Sequence, residues 1–122
     1  MKYGWIDEYL LEKPAVTKDI QIEWNWVRYM IGGKMFAVVL LDGSDAPYYI
    51  NLKLEPDEGA LLRAAWPDIL PGYYANKQHW NSVKPDGDVP DELLRAMLDK
   101  SYDLVLRGFS KKKRRELLGE AD

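Results

Sequence analysis

The chain has no cysteine and a single histidine, His79, among its 122 residues. The first absence excludes a disulfide framework and thiolate metal sites, and the second leaves any transition-metal site dependent on carboxylates. No uninterrupted apolar run exceeds the stretch from Met35 to Leu41, far short of the ~20 residues that cross a bilayer. The opening Met1-Lys2-Tyr3-Gly4-Trp5-Ile6-Asp7 lacks the apolar segment of a secretory signal, so a cytoplasmic protein without membrane contact is expected. Serine nucleophiles are on hand in Ser44, Ser82 and Ser101, but no Gly-x-Ser-x-Gly elbow presents one to His79. Gly32-Gly33 lies between strand-like segments rather than before a helix, so no phosphate-cradling glycine loop exists. The chemistry available points away from an enzyme, with no cofactor and no metal. Positive charge is also in deficit: 17 Lys and Arg stand against 20 Asp and Glu, a net charge of −3 that disfavours indiscriminate polyanion binding.

What is present is globular. Hydrophobic residues make up 47 % and charged residues 30 % of the chain, which suits one domain over 1–122, expected to be a monomer. Charge is unevenly spread. Residues 1–60 hold six Lys and Arg against ten Asp and Glu, whereas residues 61–122 hold eleven against ten. The late excess comes mostly from Lys111-Lys112-Lys113-Arg114-Arg115, within a basic segment spanning 110–118. Such asymmetry hints at an end that faces a polyanion.

Periodicity sets the expected elements. Trp5, Ile6, Tyr9 and Leu10 fall at helical spacing over Gly4 to Lys13, and Pro14 stops that helix. Ile20, Ile22, Trp24 and Trp26 alternate with Gln21, Glu23 and Asn25, which predicts a strand from Ile20 to Trp26. Val27 to Ile31, Gly32-Gly33 and Lys34 to Leu41 predict a hairpin, because a Gly-Gly pair supplies the positive φ of a two-residue turn. Asp42 to Asp45 is a second turn before a strand from Tyr48 to Leu54. Pro56, Asp57 and Glu58 open a helix whose stripe is Leu61, Leu62, Ala65 and Trp66. A third helix starts near Pro90, turns Leu94, Met97, Leu98, Tyr102 and Val105 to the core, and meets Gly108 as a left-handed stop. Ser110 caps a last short helix through Leu118. The fold class is α+β, an antiparallel meander with helices packed on one face.

Two segments carry candidate function. Pro71 to Val83 gathers Tyr73, Tyr74, Asn76, Lys77, His79, Trp80 and Asn81 in one long loop, part of which can pair as a strand. Stacking rings beside amide and cationic donors suit bases and phosphates. The competing reading makes Trp80 and Tyr73 anchors of the loop and Asn76 and Asn81 its turn caps. The second segment is Lys111 to Arg115, where five adjacent cations oppose the dipole of a helix start, and a bound phosphate relieves both the dipole and the mutual repulsion. Its competing reading is a solvated tail. A third feature, Asp7, Glu8 and Glu12 on the first helix with Asp19 and Glu23 nearby, suits a hard cation or a basic partner, or is simply a solvated face.

The residues Gly32-Gly33-Lys34-Met35-Phe36-Ala37, Asn51-Leu52-Lys53, Pro71-Gly72-Tyr73, Asn76-Lys77, His79-Trp80-Asn81, Val83 and Ser101-Tyr102-Asp103-Leu104-Val105 occur in an order that resembles the MmcQ/YjbR family of small bacterial proteins. That resemblance implies a frataxin-like (CyaY-like) α+β arrangement, also described as a double wing, and a DNA-binding role. The family's loop pattern is Pro-Gly-Tyr-His-x-Asn-Lys-x-His-Trp-Asn-Thr-Val; here Tyr74 replaces the first histidine and Ser82 the threonine, and Leu54 stands where many members have cysteine. Loss of the first histidine removes two-histidine chemistry but leaves stacking intact.

The expected function is non-catalytic nucleic-acid binding. Lys111, Lys112, Lys113, Arg114 and Arg115, joined by Lys77, are assigned to phosphates; Tyr73, Tyr74 and Trp80 to stacking; Asn76, His79 and Asn81 to hydrogen bonding. That expectation requires the cationic segment and the aromatic loop to share one surface. The alternative is a protein-interaction or small-ligand module built on loop 71–83, with frataxin-like cation binding a third.

Overall fold

Alternating β-branched and aromatic residues between positions 16 and 53 fold into four consecutive antiparallel strands. The computed structural model describes residues 1–73 and 75–119. Helix α1 (Ile6–Leu11) precedes β1 (Val16–Gln21), β2 (Trp26–Ile31), β3 (Lys34–Leu41) and β4 (Pro47–Lys53). Helix α2 (Pro56–Ala65) leads to β5 (Ile69–Pro71) and β6 (Trp80–Val83), and α3 (Asp91–Arg107) and α4 (Lys111–Leu118) follow. The six strands form one antiparallel sheet in the order β1-β2-β3-β4-β6-β5. The expected α+β meander is therefore present.

Gly32 and Gly33 sit at φ +59° and +82°, and Ile31 pairs directly with Lys34 across them. Only a two-residue turn of positive φ closes a hairpin this tightly without splaying its strands. The β3–β4 turn is organised by Asp42, whose Oδ1 accepts from Ser44 N at 2.8 Å, Ser44 Oγ at 2.7 Å and Ala46 N at 3.1 Å. These donors, the Ser44 hydroxyl first, hold the Asp42 carboxyl below the usual carboxylate range.

Register sorts the sheet into two faces. Tyr29 lies opposite Ala37, Ala37 opposite Leu52, Val39 opposite Ile50 and Ile50 opposite Val83, so these side chains form rows on one face. Leu94, Met97, Leu98, Tyr102 and Val105 of α3 pack on those rows, together with Ile6 and Leu10 of α1, Leu62 of α2 and Leu117 of α4. All four helices thus cover the same face. Each fully buried leucine in this layer contributes about 2 kcal/mol by leaving water. Ser101 is the polar exception in the α3 stripe: wholly buried, it donates to Phe36 O at 2.5 Å and accepts from Lys53 N at 2.8 Å.

Three details depart from the sequence expectation. The strand expected from Ile20 to Trp26 is a hairpin instead: β1 ends at Gln21, which pairs with Trp26, and residues 22–25 turn with Asn25 at φ +60°. The alternating apolar residues there mark no core row, since Ile20, Ile22 and Trp24 are all exposed. Asn25 tolerates the left-handed region and its Nδ2 donates to Asp42 O and Asp45 Oδ1, locking two turns together. The inward stripe of α2 runs through Gly59, Leu62 and Trp66, leaving Leu61 73 % exposed and Ala65 exposed. Gly108 keeps a right-handed φ of −73°; the left-handed stop is Gly119, at φ +69°, after α4.

Candidate nucleic-acid interface

Helix α4 begins as its sequence predicts. Ser110 is the N-cap and its hydroxyl accepts from Lys113 N at 3.1 Å. The first five helical positions are the cations Lys111 to Arg115, and no acidic residue occupies the first turn. Packing offsets that unfavourable electrostatics. Phe109 and Leu117 rest against the Gly32 turn so closely that a Cβ at Gly32 would lie 2.6 Å from Phe109 Cζ, and Lys34 Nζ sits 5.0 Å above the Phe109 ring.

Lys111, Lys112 and Lys113 are exposed, and among the described residues none has a carboxylate partner. Lys111, Arg114, Arg115 and Leu118 share one side of α4 at helical spacing. They face Lys100, Asp103, Leu104 and Arg107 of α3 across a groove of about 800 Å³, closed by Leu54, Glu55 and Glu58. Lys100 is paired with Glu58. Five cations and three carboxylates therefore line the groove over a leucine floor. Lys100 and Arg107 were not singled out from sequence, although their spacing with Asp103 and Leu104 on α3 is readable.

Tyr73, Ala75 and Asn76 of the loop lie on the opposite face of the sheet. Gly72 N donates to Trp80 O at 2.8 Å. Tyr73 N donates to Ser82 Oγ at 2.8 Å, Ser82 Oγ to Asn51 Oδ1 at 2.5 Å, and Asn51 Nδ2 to Tyr73 O at 2.8 Å. Asn76 Oδ1 accepts from Gln78 N at 2.9 Å while its carbonyl accepts from Trp80 N at 2.8 Å. Lys77 Nζ reaches back to Gly72 O at 3.3 Å, and the His79 carbonyl accepts from Leu54 N at 2.8 Å and Asn81 Nδ2 at 3.2 Å. Tyr73 is 41 % exposed with its ring 5.0 Å from that of Tyr49. Trp80 is half-buried on the open face; Asn81, its neighbour, points to the helical side, where Arg63 donates to Oδ1 and no surface remains. Tyr74 lies outside the described residues.

The sheet separates the two candidate segments. Leu54 touches both, lining the groove and donating its N–H to His79 O, but Tyr73 and Trp80 lie on the open face and the α4 cations on the helical side, with Glu55 and Glu58 at the groove between. The single shared surface expected from sequence does not form, because alternation along β6 sends Trp80 and Asn81 to opposite faces. Lys77 stays with the loop. The acidic residues of α1 also disperse: Asp7 pairs with Lys18 Nζ at 2.7 Å and accepts from Tyr29 OH at 2.8 Å. Among the described residues no three His, Asp or Glu side chains gather as a metal would need, and no helix is long and apolar enough to cross a membrane.

A family model described as YjbR matches residues 11–104. The chain belongs to the YjbR family. It is 38 % identical over 84 residues to the uncharacterized protein YbdF of Escherichia coli O157:H7, covering 69 % of the chain and 67 % of that relative. It is 28 % identical over 111 residues to the uncharacterized protein YjbR of Escherichia coli strain K12, covering 91 % and 92 %. Among solved structures, Deinococcus radiodurans protein DR2400, with domain DUF419, superposes at a TM-score of 0.83 with 36 % identity over 96 % of this chain and 87 % of its own. A Pseudomonas syringae protein matches at a TM-score of 0.71 and 22 % identity over 85 % of this chain and 98 % of its own, a likeness of fold.

Proposed function

We propose that this YjbR-family protein is a non-catalytic nucleic-acid-binding protein, a cytoplasmic monomer that contacts DNA phosphates through α4 and the facing end of α3. The observation that supports this reading is the exposed Lys111-Lys112-Lys113 at a Ser110-capped helix start, without carboxylate partners among the described residues. A phosphate there accepts from cations and from helix N–H groups at once, and it relieves the repulsion the segment otherwise bears. Rings on the far side of the sheet do not share the surface of these cations, so the α4 contact is with the backbone rather than by base stacking.

Fluorescence anisotropy with labelled duplex and single-stranded DNA over a salt series tests it. Three lysine contacts to duplex give a log–log salt slope of about −2.7, and all five cations about −4.5. The triple variant K111Q/K112Q/K113Q is expected to lose most of the affinity. Absence of binding at low salt, or binding indifferent to that variant, would sink the reading.

A further inference from the structure

The open face of the sheet carries a second cleft, of about 190 Å³, that α4 does not touch. Its floor is Val38 and Asn51, direct partners across β3 and β4. Trp26 of β2 and Trp80 of β6 reach in from opposite sides, Met35 adds its thioether, and Ala75 and Asn76 of the loop form the remaining rim. In register the two tryptophans are diagonal to each other: Trp26 lies level with Leu40, two residues to one side of the Val38–Asn51 pair along the strands, and Trp80 level with Lys53, two residues to the other.

The lining decides what that group is. Among the described residues no charged side chain borders the cleft, so they offer nothing there to a phosphate or carboxylate. Indole faces and a thioether favour a polarizable ring. The volume lies below the ~300–1,000 Å³ typical of whole drug-sized ligands, which limits the occupant to one ring system. The polar groups are arranged to match. Asn51 is spent on Ser82 and Tyr73, whereas Asn76 uses only its Oδ1, leaving the Nδ2 hydrogens at the rim without a partner among the described residues. A donor at the rim of an apolar slot selects a ring with an edge acceptor.

The cleft is also built rather than incidental. The Tyr73–Ser82–Asn51 hydrogen bonds clamp the loop over the sheet, and Gly72 fits because any Cβ would meet Trp80 Cβ at 2.6 Å and its carbonyl oxygen at 2.8 Å. We propose that this cleft binds an uncharged planar heteroaromatic ring with a hydrogen-bond acceptor on its edge, the chemistry of a nucleobase, by contact with the Trp26 and Trp80 indoles that line it and with Asn76 as donor.

The indole Nε1–H signals of Trp26 and Trp80, followed by NMR while adenosine, uridine or a short single-stranded oligonucleotide is added to the full chain, test this. Saturable shifts of both indoles with a nucleoside assign a free ring; shifts with the oligonucleotide alone assign a base carried on a strand. Filling the cleft by Val38→Phe at the floor, or by Ala75→Phe at the rim should the first fail to fold, is expected to weaken binding at least tenfold. K111Q/K112Q/K113Q leaves nucleoside binding unchanged. No shift with any probe at millimolar concentration, or shifts that persist in the folded filled variant, overturns the proposal.

Discussion

Ser82 and Asn51 face each other on the open side of β6 and β4, the serine hydroxyl donating to the amide oxygen at 2.5 Å with both residues buried. The pair is the inner half of a clamp whose outer half is the Tyr73 backbone, which donates to one member and accepts from the other. Asn51→Ala strands the buried Ser82 hydroxyl and removes the Asn51 donor from the Tyr73 carbonyl. A buried polar group left without its partner costs about 1–3 kcal/mol. Urea unfolding of the variant is expected to show a loss of that size, and hydrogen exchange a selective rise in the amide of Tyr73.

Ser101 makes a comparable join on the helical side. Its hydroxyl ties α3 to the Phe36 carbonyl of β3 and the Lys53 amide of β4 from within the apolar layer. Ser101→Ala removes both bonds and leaves two backbone groups without partners, so a loss of about 2 kcal/mol is expected in chemical denaturation. Nucleic-acid affinity should stay at the native value, because the α4 cations are untouched.

Elements whose pattern and burial agree were legible in the sequence. The Gly32-Gly33 hairpin, the apolar stripe of α3 and the Ser110 cap each follow from local chemistry that tertiary packing does not override. The β1–β2 connection was not legible, because Ile20, Ile22 and Trp24 alternate as a core strand would while lying in solvent. Only the pairing of Gln21 with Trp26 reveals the turn. The candidate site divides in the same way. Charge density marked Lys111 to Arg115, but the face on which a loop lands depends on long-range pairing: Leu52 opposite Asn81 and Lys53 opposite Trp80. Asn51 is brought to the loop by that pairing, and Trp26 by the β2–β3 register that sets it opposite Leu40.

Gly72 gives a steric test of the loop. Its amide donates to Trp80 O at 2.8 Å, and an added Cβ would lie 2.6 Å from Trp80 Cβ, 2.8 Å from its carbonyl oxygen and 2.9 Å from its carbonyl carbon. Two of these contacts are backbone, so a rotamer change cannot relieve them. Gly72→Ala is expected to cost about 1–3 kcal/mol by overpacking. A changed Trp80 indole signal with an unchanged α4 would place the strain in the loop rather than in the whole fold.

Stability should fall at both ends of the pH scale for identifiable reasons. The Asp7 carboxyl is held below its ordinary value, first by the hydrogen bond from Lys18 and then, against some desolvation, by that from Tyr29. A depressed folded value means that this stabilisation is complete above the usual carboxylate range and disappears as pH drops through the lowered value. Asp7→Asn should flatten that acid limb. At the other end, burial and then the Asp99 hydrogen bond push the Tyr9 phenol up to about 12. The unfolded phenol ionises near ~10, so the folded state keeps a proton that the unfolded state releases. The stabilisation is intact below pH ~10 and is lost as pH climbs toward the folded value. Urea midpoints measured for native protein and Tyr9→Phe between neutral and alkaline pH are expected to converge as pH rises, since phenylalanine has no proton to lose; a constant gap would show that Tyr9 does not titrate with folding.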